Sequence, residues 1–420
     1  MALITSGLLL ASGTMVLVAA LYLLTLAVAA MRSPVPPALG VECTQLMVLI
    51  PAHNEAVLIQ RCVGSLFRQL YPSGLYRVVV IADNCTDATA QLAADAGAHV
   101  MVRHEPHSRG KGQALRWAFD RLLAAHDPPS AIVIVDADSV ADENLLSNLE
   151  AHLRRGSDVV QAQHLVRREV GGPGAELSAA AFLLFNGVRL AGRSAIGLPA
   201  CLVGNGMAFR TDVLRRVPWD AFTGVEDLEY TIRLRLAGVT PAYAGAATIW
   251  GPSSGGHPQR FRWEGGRFHI MRRRLPLLAK SLLAGRWALL DLALDLAVPS
   301  VSLLAVLLAS GTALGAGATL MGWAAAWTLA PWLAAAAALA GFVLLGLRAG
   351  GAPRTTYAAL LHAPAFVVAR LVVYMWLLLR GHDAQALSRM AATRSSRWCR
   401  SRTPMLARPH RSSLRSAAAG

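Results

Sequence analysis

The hydrophobic pattern along the chain changes character twice. Leu3 to Ala30 is a charge-free apolar run of 28 residues, beyond the roughly 20 that span a hydrocarbon core. From Gln45 to about Ala244 the apolar positions fall into short runs separated by amphipathic stretches. Leu46 to Ile50, Val78 to Ala82, Val100 to Arg103, Ile132 to Val135 and Val159 to Ala162 read as buried strands. Ala56 to Leu70, Asp87 to Ala96, Gly110 to Ala125 and Asp142 to Arg154 carry helical spacing, with Thr86 or Asp87 capping the second. This alternation predicts a parallel, twisted α/β sheet whose ligands gather at the carboxyl ends of its strands.

After Arg286 the long apolar runs return. Leu289 to Leu308 and about Thr319 to Leu347 are each long enough to cross a bilayer, joined by Gly-rich Ser310 to Ala318. Tyr357 to Leu379 is also apolar but holds His362, Pro364 and Arg370. As a span it would carry the basic tail outside, so it reads as an interfacial helix, with a fourth span as the alternative. The expected division is an anchor (1–33), an α/β domain (44–285), membrane helices (286–350), an interfacial or third C-terminal membrane helix (351–380) and a basic, disordered tail (381–420).

Composition supports this division: 54% hydrophobic residues is too many for an ordinary soluble chain. The segment before Leu3 to Ala30 lacks the basic flank of a secretory signal peptide, so the run reads as an uncleaved anchor. Arg32 follows it, which orients the next domain to the cytoplasm and makes this a multi-pass protein of the cell (inner) membrane. The five cysteines are scattered without metal-ligand spacing and suggest neither zinc nor a disulfide. The net charge of +15 is concentrated in the tail, where Gly381 to Gly420 carries eight arginines against one acid, Asp383. Next to membrane helices that charge fits lipid headgroups or topology, and no nucleic-acid partner is expected.

The chemistry-bearing residues lie just after strands. IVIVDADS sets Asp136 and Asp138 two apart where the chain leaves the sheet. In extended backbone that spacing turns both carboxylates to one side, where they can share a hard cation such as Mg2+ or Mn2+; helix capping is the plainer alternative. VVVIADNCTD brings Asp83 to the same rim, where a carboxylate can accept from a base or ribose, and LIPAHNE brings Glu55. Lysine occurs only at 111 and 280, and Lys111 sits in SRGKGQAL, between glycines that permit close backbone approach and where an ammonium can meet a phosphate. Glu226 and Asp227 open an amphipathic helix, a position the helix dipole favours for acids, and either could serve as a general base.

Taken in order, PAHNE, IADNCTD, GKGQAL, VDADS, GNGMAFR, VEDLEY and QRFRW resemble the motifs of the membrane-bound, inverting family-two glycosyltransferases with a GT-A fold. This group includes cellulose, chitin, hyaluronan and poly-N-acetylglucosamine synthases and ceramide glucosyltransferase. The resemblance covers about residues 45 to 285. It implies a UDP-sugar donor, with Asp83 at the uridine, Glu55 and Lys111 on the donor side, Asp136 near the nucleotide and Asp138 holding the metal. It implies Asp227, paired with Glu226, as the base that takes the acceptor proton, with Val225 standing where the family usually has threonine. Gln259, Arg262 and Trp263 match the family's QxxRW, the first two near the diphosphate and the tryptophan beside the acceptor; Asn205 of GNGMAFR is also expected at the acceptor.

The acceptor implied is a lipid-linked or growing glycan at the cytoplasmic membrane face, transfer being single or processive, with a partner subunit or homo-oligomer possible. A catalytically silent scaffold subunit of a polysaccharide export complex is the reading from another class. Loss of the metal aspartate, the base or QxxRW would have favoured it, and all are present.

Overall fold

The computed structural model describes residues 2–32, 41, 43–167, 172–252, 257–368 and 371, with side chains undescribed at 257–264, 267 and 268. One compact unit comprises Met1–Trp376, and the basic tail expected at 381–420 lies outside the described residues.

Eight strands form one sheet: β1 (Leu46–Ala52), β2 (Tyr76–Asp83), β3 (His99–Arg103), β4 (Ala131–Ile134), β5 (Val140–Ala141), β6 (Val159–Val166), β7 (Met207–Arg210) and β8 (Ala242–Gly251), in the order β3-β2-β1-β4-β7-β6-β8-β5. The five strands expected from the pattern are present. Alternation along them feeds two buried layers: Val48, Ile50, Val78, Val80 and Val133 face one side, and Leu49, Val79, Ile81, Ile132 and Ile134 the other. Both faces are therefore covered, which is why these strands read as unbroken apolar runs.

The sheet is parallel through β3, β2, β1 and β4 and again between β6 and β8, whereas β7 runs antiparallel to both β4 and β6, and β5 antiparallel to β8. The expectation of a wholly parallel sheet is corrected here. The chain turns at Gly204 and Gly206, both at positive φ, and enters β7 from the carboxyl edge of β4, with the Gly206 amide bonded to the Ile134 carbonyl. A Cβ on Gly206 would stand 2.7 Å from that of Ala162, so the turn requires glycine twice over. The four residues of MAFR, three of them apolar, give too short a pattern to read.

The helices are α1 (Ala2–Ala30), α2 (Ile59–Leu66), α3 (Thr89–Asp95), α4 (Lys111–Leu123), α5 (Leu145–Arg154), α6 (Pro173–Phe182), α7 (Arg189–Ala195), α8 (Thr211–Arg216), α9 (Glu226–Leu236), α10 (His257–Leu283), α11 (Leu290–Ala297), α12 (Val301–Leu320), α13 (Ala330–Ala349) and α14 (Arg354–Ala359). Asp87 Oδ1 accepts from the Thr89 amide at 3.0 Å, one residue ahead of the N-cap position, Ala88, of α3. Trp219 packs against Phe119, Phe209 and Tyr230, anchoring the segment that leads into α9. A π-helical turn, Leu183–Val188, joins α6 to α7.

Among the described residues, three helices are long and apolar enough to cross a membrane: Ala2–Ala30, Val301–Leu320 and Ala326–Ala349. Set against the expected runs, the second differs in place. The run from Leu289 breaks at Pro299, so α11 is a separate short helix, and glycine-rich Ser310 to Ala318 lies inside α12 rather than linking two spans. Those glycines serve packing: a Cβ on Gly311 would fall 2.0 Å from the Trp332 ring of α13. Small residues allow this approach between helices in lipid. The described part of Tyr357 to Leu379 begins in α14, which packs on α6 through a Thr356 to Glu176 hydrogen bond of 2.8 Å.

Candidate active site

One cavity of about 650 Å³ joins the carboxyl edge of the sheet to the start of α12, and its wall includes Glu55, Lys111, Asp136, Asp138, Glu226 and Asp227. Six of the sequence-expected residues thus meet in one place. β1 delivers Glu55 through a turn in which Asn54 takes the left-handed region, φ 57°. Asn54 Oδ1 accepts from the Thr86 amide at 2.8 Å, and the Glu55 amide donates to Thr89 Oγ1 at 2.8 Å. Two strand ends are thereby cross-linked, and this holds an uncommon backbone conformation.

Asp136 and Asp138 follow β4 directly. Lys111 Nζ, at the start of α4, contacts Asp136 Oδ1 at 2.5 Å and also donates to the Gly204 carbonyl. The glycine beside it works against protein backbone: a Cβ on Gly112 would lie 2.3 Å from the Ala221 carbonyl oxygen. That close approach brings α4 to the segment preceding α9. On the opposite wall Gly204 lies against Asp227, since a Cβ there would be 3.3 Å from Asp227 Oδ2.

This site carries more negative than positive charge. Burial, then the Glu226 charge, pushes the Asp227 carboxyl up to about 7 despite the helix terminus and Lys111. Burial, followed by Asp138 and the other nearby acids, pushes Glu55 up to about 7. Asp138 is raised by burial and by Asp136. Lys111 is raised: burial works against its charge, but Asp136 and Glu226 outweigh it. Clustered, perturbed acids in a cleft are a mark of functional sites.

Two expected residues stand behind the cavity wall. Asp83 is buried, its Oδ1 taking Arg103 at 2.5 Å and Asn84 Nδ2 at 2.8 Å. Asn205, expected at the acceptor, is 1% exposed and holds the turn after β4: its Oδ1 accepts from the Asp136 amide at 3.1 Å and its Nδ2 donates to Ser139 Oγ at 2.8 Å. These bonds hold the turn that carries the aspartate pair, and Asn205 is not among the residues that line the cavity. Gln259, Arg262 and Trp263 lie on the first turns of α10, and their side chains are outside the described residues. Gly266, three residues further on, packs on Val225, where a Cβ would meet Cγ1 at 3.0 Å. α10 therefore passes beside the residue preceding Glu226 at a point just after that motif.

Sequence reasoning missed the far half of the cavity. Phe182, Phe185, Asn186 and Arg189, from α6, the π turn and α7, line it together with Asp295 and Val301. The signal was AAFLLFNGVRL, an apolar stretch with two polar or charged positions, Asn186 and Arg189, but the inserted π residue shifts its helical phase. Asp291 and Asp295, at the start of the run read as the second span, join a buried ion network. Arg189 pairs with Asp295, Arg193 with Asp291 at 2.6 Å, and Arg235 with Asp291 at 2.8 Å. Tyr22 of α1 accepts from Arg193 at 2.8 Å and donates to Asp295 at 3.1 Å.

The sequence profile described as "Glycosyltransferase like family 2" matches residues 44–265. A probable glycosyltransferase of Bacillus subtilis, YdaM, is 26% identical over 251 residues, 55% of this chain and 57% of that protein. A beta-monoglucosyldiacylglycerol synthase of Nostoc is 28% identical over 201 residues, 45% of this chain and 41% of that one. The chain thus spans less than two thirds of either relative. Among solved structures, the mannosyltransferase PcManGT of Pyrobaculum calidifontis, in complex with GDP-Man and Mn2+, aligns with a TM-score of 0.50 at 22% identity, covering 79% of this chain and 97% of that chain. That likeness shows the GT-A fold.

Proposed function

The chain belongs to the family-2-like glycosyltransferases, and from that premise we propose that it transfers a sugar from a nucleoside diphosphate sugar, with inversion, to an acceptor at a membrane surface. The observation that carries this reading is the convergence of Asp136, Asp138, Lys111 and Asp227 on one cavity. In the proposed reaction the acceptor hydroxyl oxygen forms a bond to the anomeric carbon as the bond from that carbon to the diphosphate oxygen breaks. Asp227 receives the hydroxyl proton, and the nucleoside diphosphate leaves with the electron pair. One displacement inverts the centre, so an α-linked donor gives a β-linked product. A carboxyl near 7 is suited to this task, being ionised yet basic at neutral pH.

The acids present suit a divalent cation. Asp136 and Asp138 crowd negative charge that Lys111 only partly offsets, and carboxylate oxygen is the donor type that Mg2+ or Mn2+ prefers. Among the described residues no three His, Cys, Asp or Glu side chains form a closed cation site, so Asp138 and Asp136 would share the ion with the diphosphate. Bound there, the metal would offset charge on the leaving group. Its presence in PcManGT beside GDP-Man supports the same reading. Lys111 orients Asp136, while Asp83 and Glu55 are assigned to the nucleotide side, Gln259 and Arg262 to the diphosphate and Trp263 to the acceptor.

The three apolar helices support a membrane protein with the catalytic domain on the cytoplasmic side. The acceptor is then lipid-borne or a glycan leaving through the membrane. Purified protein should turn over one of a panel of radiolabelled donors, UDP-glucose, UDP-N-acetylglucosamine and GDP-mannose, and lose that activity with EDTA. Preference for the guanosine donor would overturn the uridine assignment, full activity after chelation the metal, and an α-linked product the inversion.

A further inference from the structure

We propose that the acceptor is an uncharged lipid alcohol whose hydroxyl reaches Asp227 while its alkyl chains lie along Phe182, Phe185 and Val301; this rests on the glycosyltransferase reading above. The cavity has two chemically distinct ends. Near the sheet stand the acids and the cations Lys111 and Arg109, whereas the other end is walled by Ala181, Phe182, Phe185 and Val301. An empty apolar wall of this kind suits an occupant that removes it from water, and a soluble sugar chain offers little apolar surface to do so.

The position of that end identifies a lipid. Val301 is the first residue of α12, one of the helices able to span a bilayer, and Ser300 caps it. The helix carrying Phe185 rests on another: a Cβ on Gly346 of α13 would lie 2.5 Å from Leu184 Cδ2. The apolar end of the cavity therefore lies at the end of the spans, where a bilayer's headgroups and upper acyl carbons would be. The π turn aims Phe185 and Asn186 into the cavity on the same segment.

Charge then selects among lipids. Among the described residues, the cation on the apolar wall is Arg189, and it is already committed to Asp295, to the Phe185 carbonyl at 3.1 Å and to the Phe185 ring face at 4.0 Å. Asp295, the acid at that end, is the partner of this arginine. A lipid phosphate there would have to compete with Asp295 for the one described cation, an expensive burial of charge. A neutral alcohol brings only a hydroxyl, and Asp227 can accept from it.

The test uses the full chain in lipid nanodiscs with the donor it turns over best. Acceptors are 1,2-dioleoylglycerol, undecaprenyl phosphate, a soluble oligosaccharide and short-chain dihexanoylglycerol. Expected are an organic-extractable product from dioleoylglycerol and, in Val301→Trp, about a tenfold fall in the ratio of dioleoylglycerol to dihexanoylglycerol transfer, the size expected when a pocket loses room for apolar groups. Because the ratio is internal to each preparation, a general loss of folding leaves it unchanged. Transfer to undecaprenyl phosphate or oligosaccharide but not to dioleoylglycerol overturns the proposal, as does an unmoved ratio. No turnover with any donor and any acceptor, water included, would instead overturn the glycosyltransferase reading itself.

Discussion

Two buried clusters of charge sit at opposite walls of the same cavity and are built on opposite principles. In the first, Glu55, Asp136, Asp138, Glu226 and Asp227 have Lys111 as the cation in contact with them, and three of the acids are raised above their ordinary range. In the second, Asp291 and Asp295 meet Arg189, Arg193 and Arg235, with Tyr22 bridging. There, although burial works the other way, Arg235 and Arg193 hold the Asp291 carboxyl below its ordinary range. The second cluster is complete in itself and ties α1, α7, α9 and α11 together. The first is left short of positive charge, and such an arrangement costs stability unless a cation and a reacting substrate supply what is missing.

The comparison predicts that removing charge from the second cluster costs folding and removing it from the first costs chemistry. Arg193→Ala removes a buried cation shared by Asp291 and Asp295 and leaves each with a single arginine, and loss of about 3–5 kcal/mol of stability is expected, read as a fall in denaturation midpoint. An unchanged midpoint would mean the network is ornamental. Asp138→Asn should lower turnover by about 10²–10³-fold, the loss of several kcal/mol of charge stabilisation, with little change in denaturation midpoint.

The next effect is graded by pH. If ionised Asp227 is the base, log turnover rises with slope one up to about pH 7 and then levels, each unit below being about tenfold. The stability effect has the opposite sign. Its folded carboxyl is raised from 3.8 to about 7, so the fold favours the protonated form, and the associated stability is full below about 4 and lost as pH rises through about 7. Turnover flat from pH 5 to 8 would remove the base from this residue. The smallest effect is expected where both partners are exposed: Arg216→Ala, at the Asp158 pair, should change stability by less than about 1 kcal/mol and leave turnover unchanged. A larger change would blur the contrast between paired and unpaired charge.

Most of the first cluster was legible in the chain, because each acid follows a strand or opens a helix, and short unbroken apolar runs rich in Val and Ile mark those strands. Asp136 and Asp138 are legible from IVIVDADS alone. The second cluster was not. Asp291 and Asp295 look like headgroup acids until Pro299 is seen to end α11 and turn it back onto α7. Arg189 and Arg193 are silent in sequence because their partners lie about a hundred residues away, and no local period records such a pairing. Antiparallel β7 escaped for a related reason: its four residues are specified by the glycine turn at 204 to 206 and by neighbours on both sides, not by their own pattern.

The central claim is that Asp227 is left under-neutralised in order to take the acceptor proton. It is tested most directly by Asp227→Asn, assayed side by side for turnover, donor binding and denaturation midpoint at pH 8. The account predicts turnover lower by about 10²–10⁴-fold, donor affinity within about twofold of the native protein since the acid does not hold the donor, and a midpoint equal or higher because a buried charge has gone. Turnover within a few fold of native, with the fold intact, would contradict it.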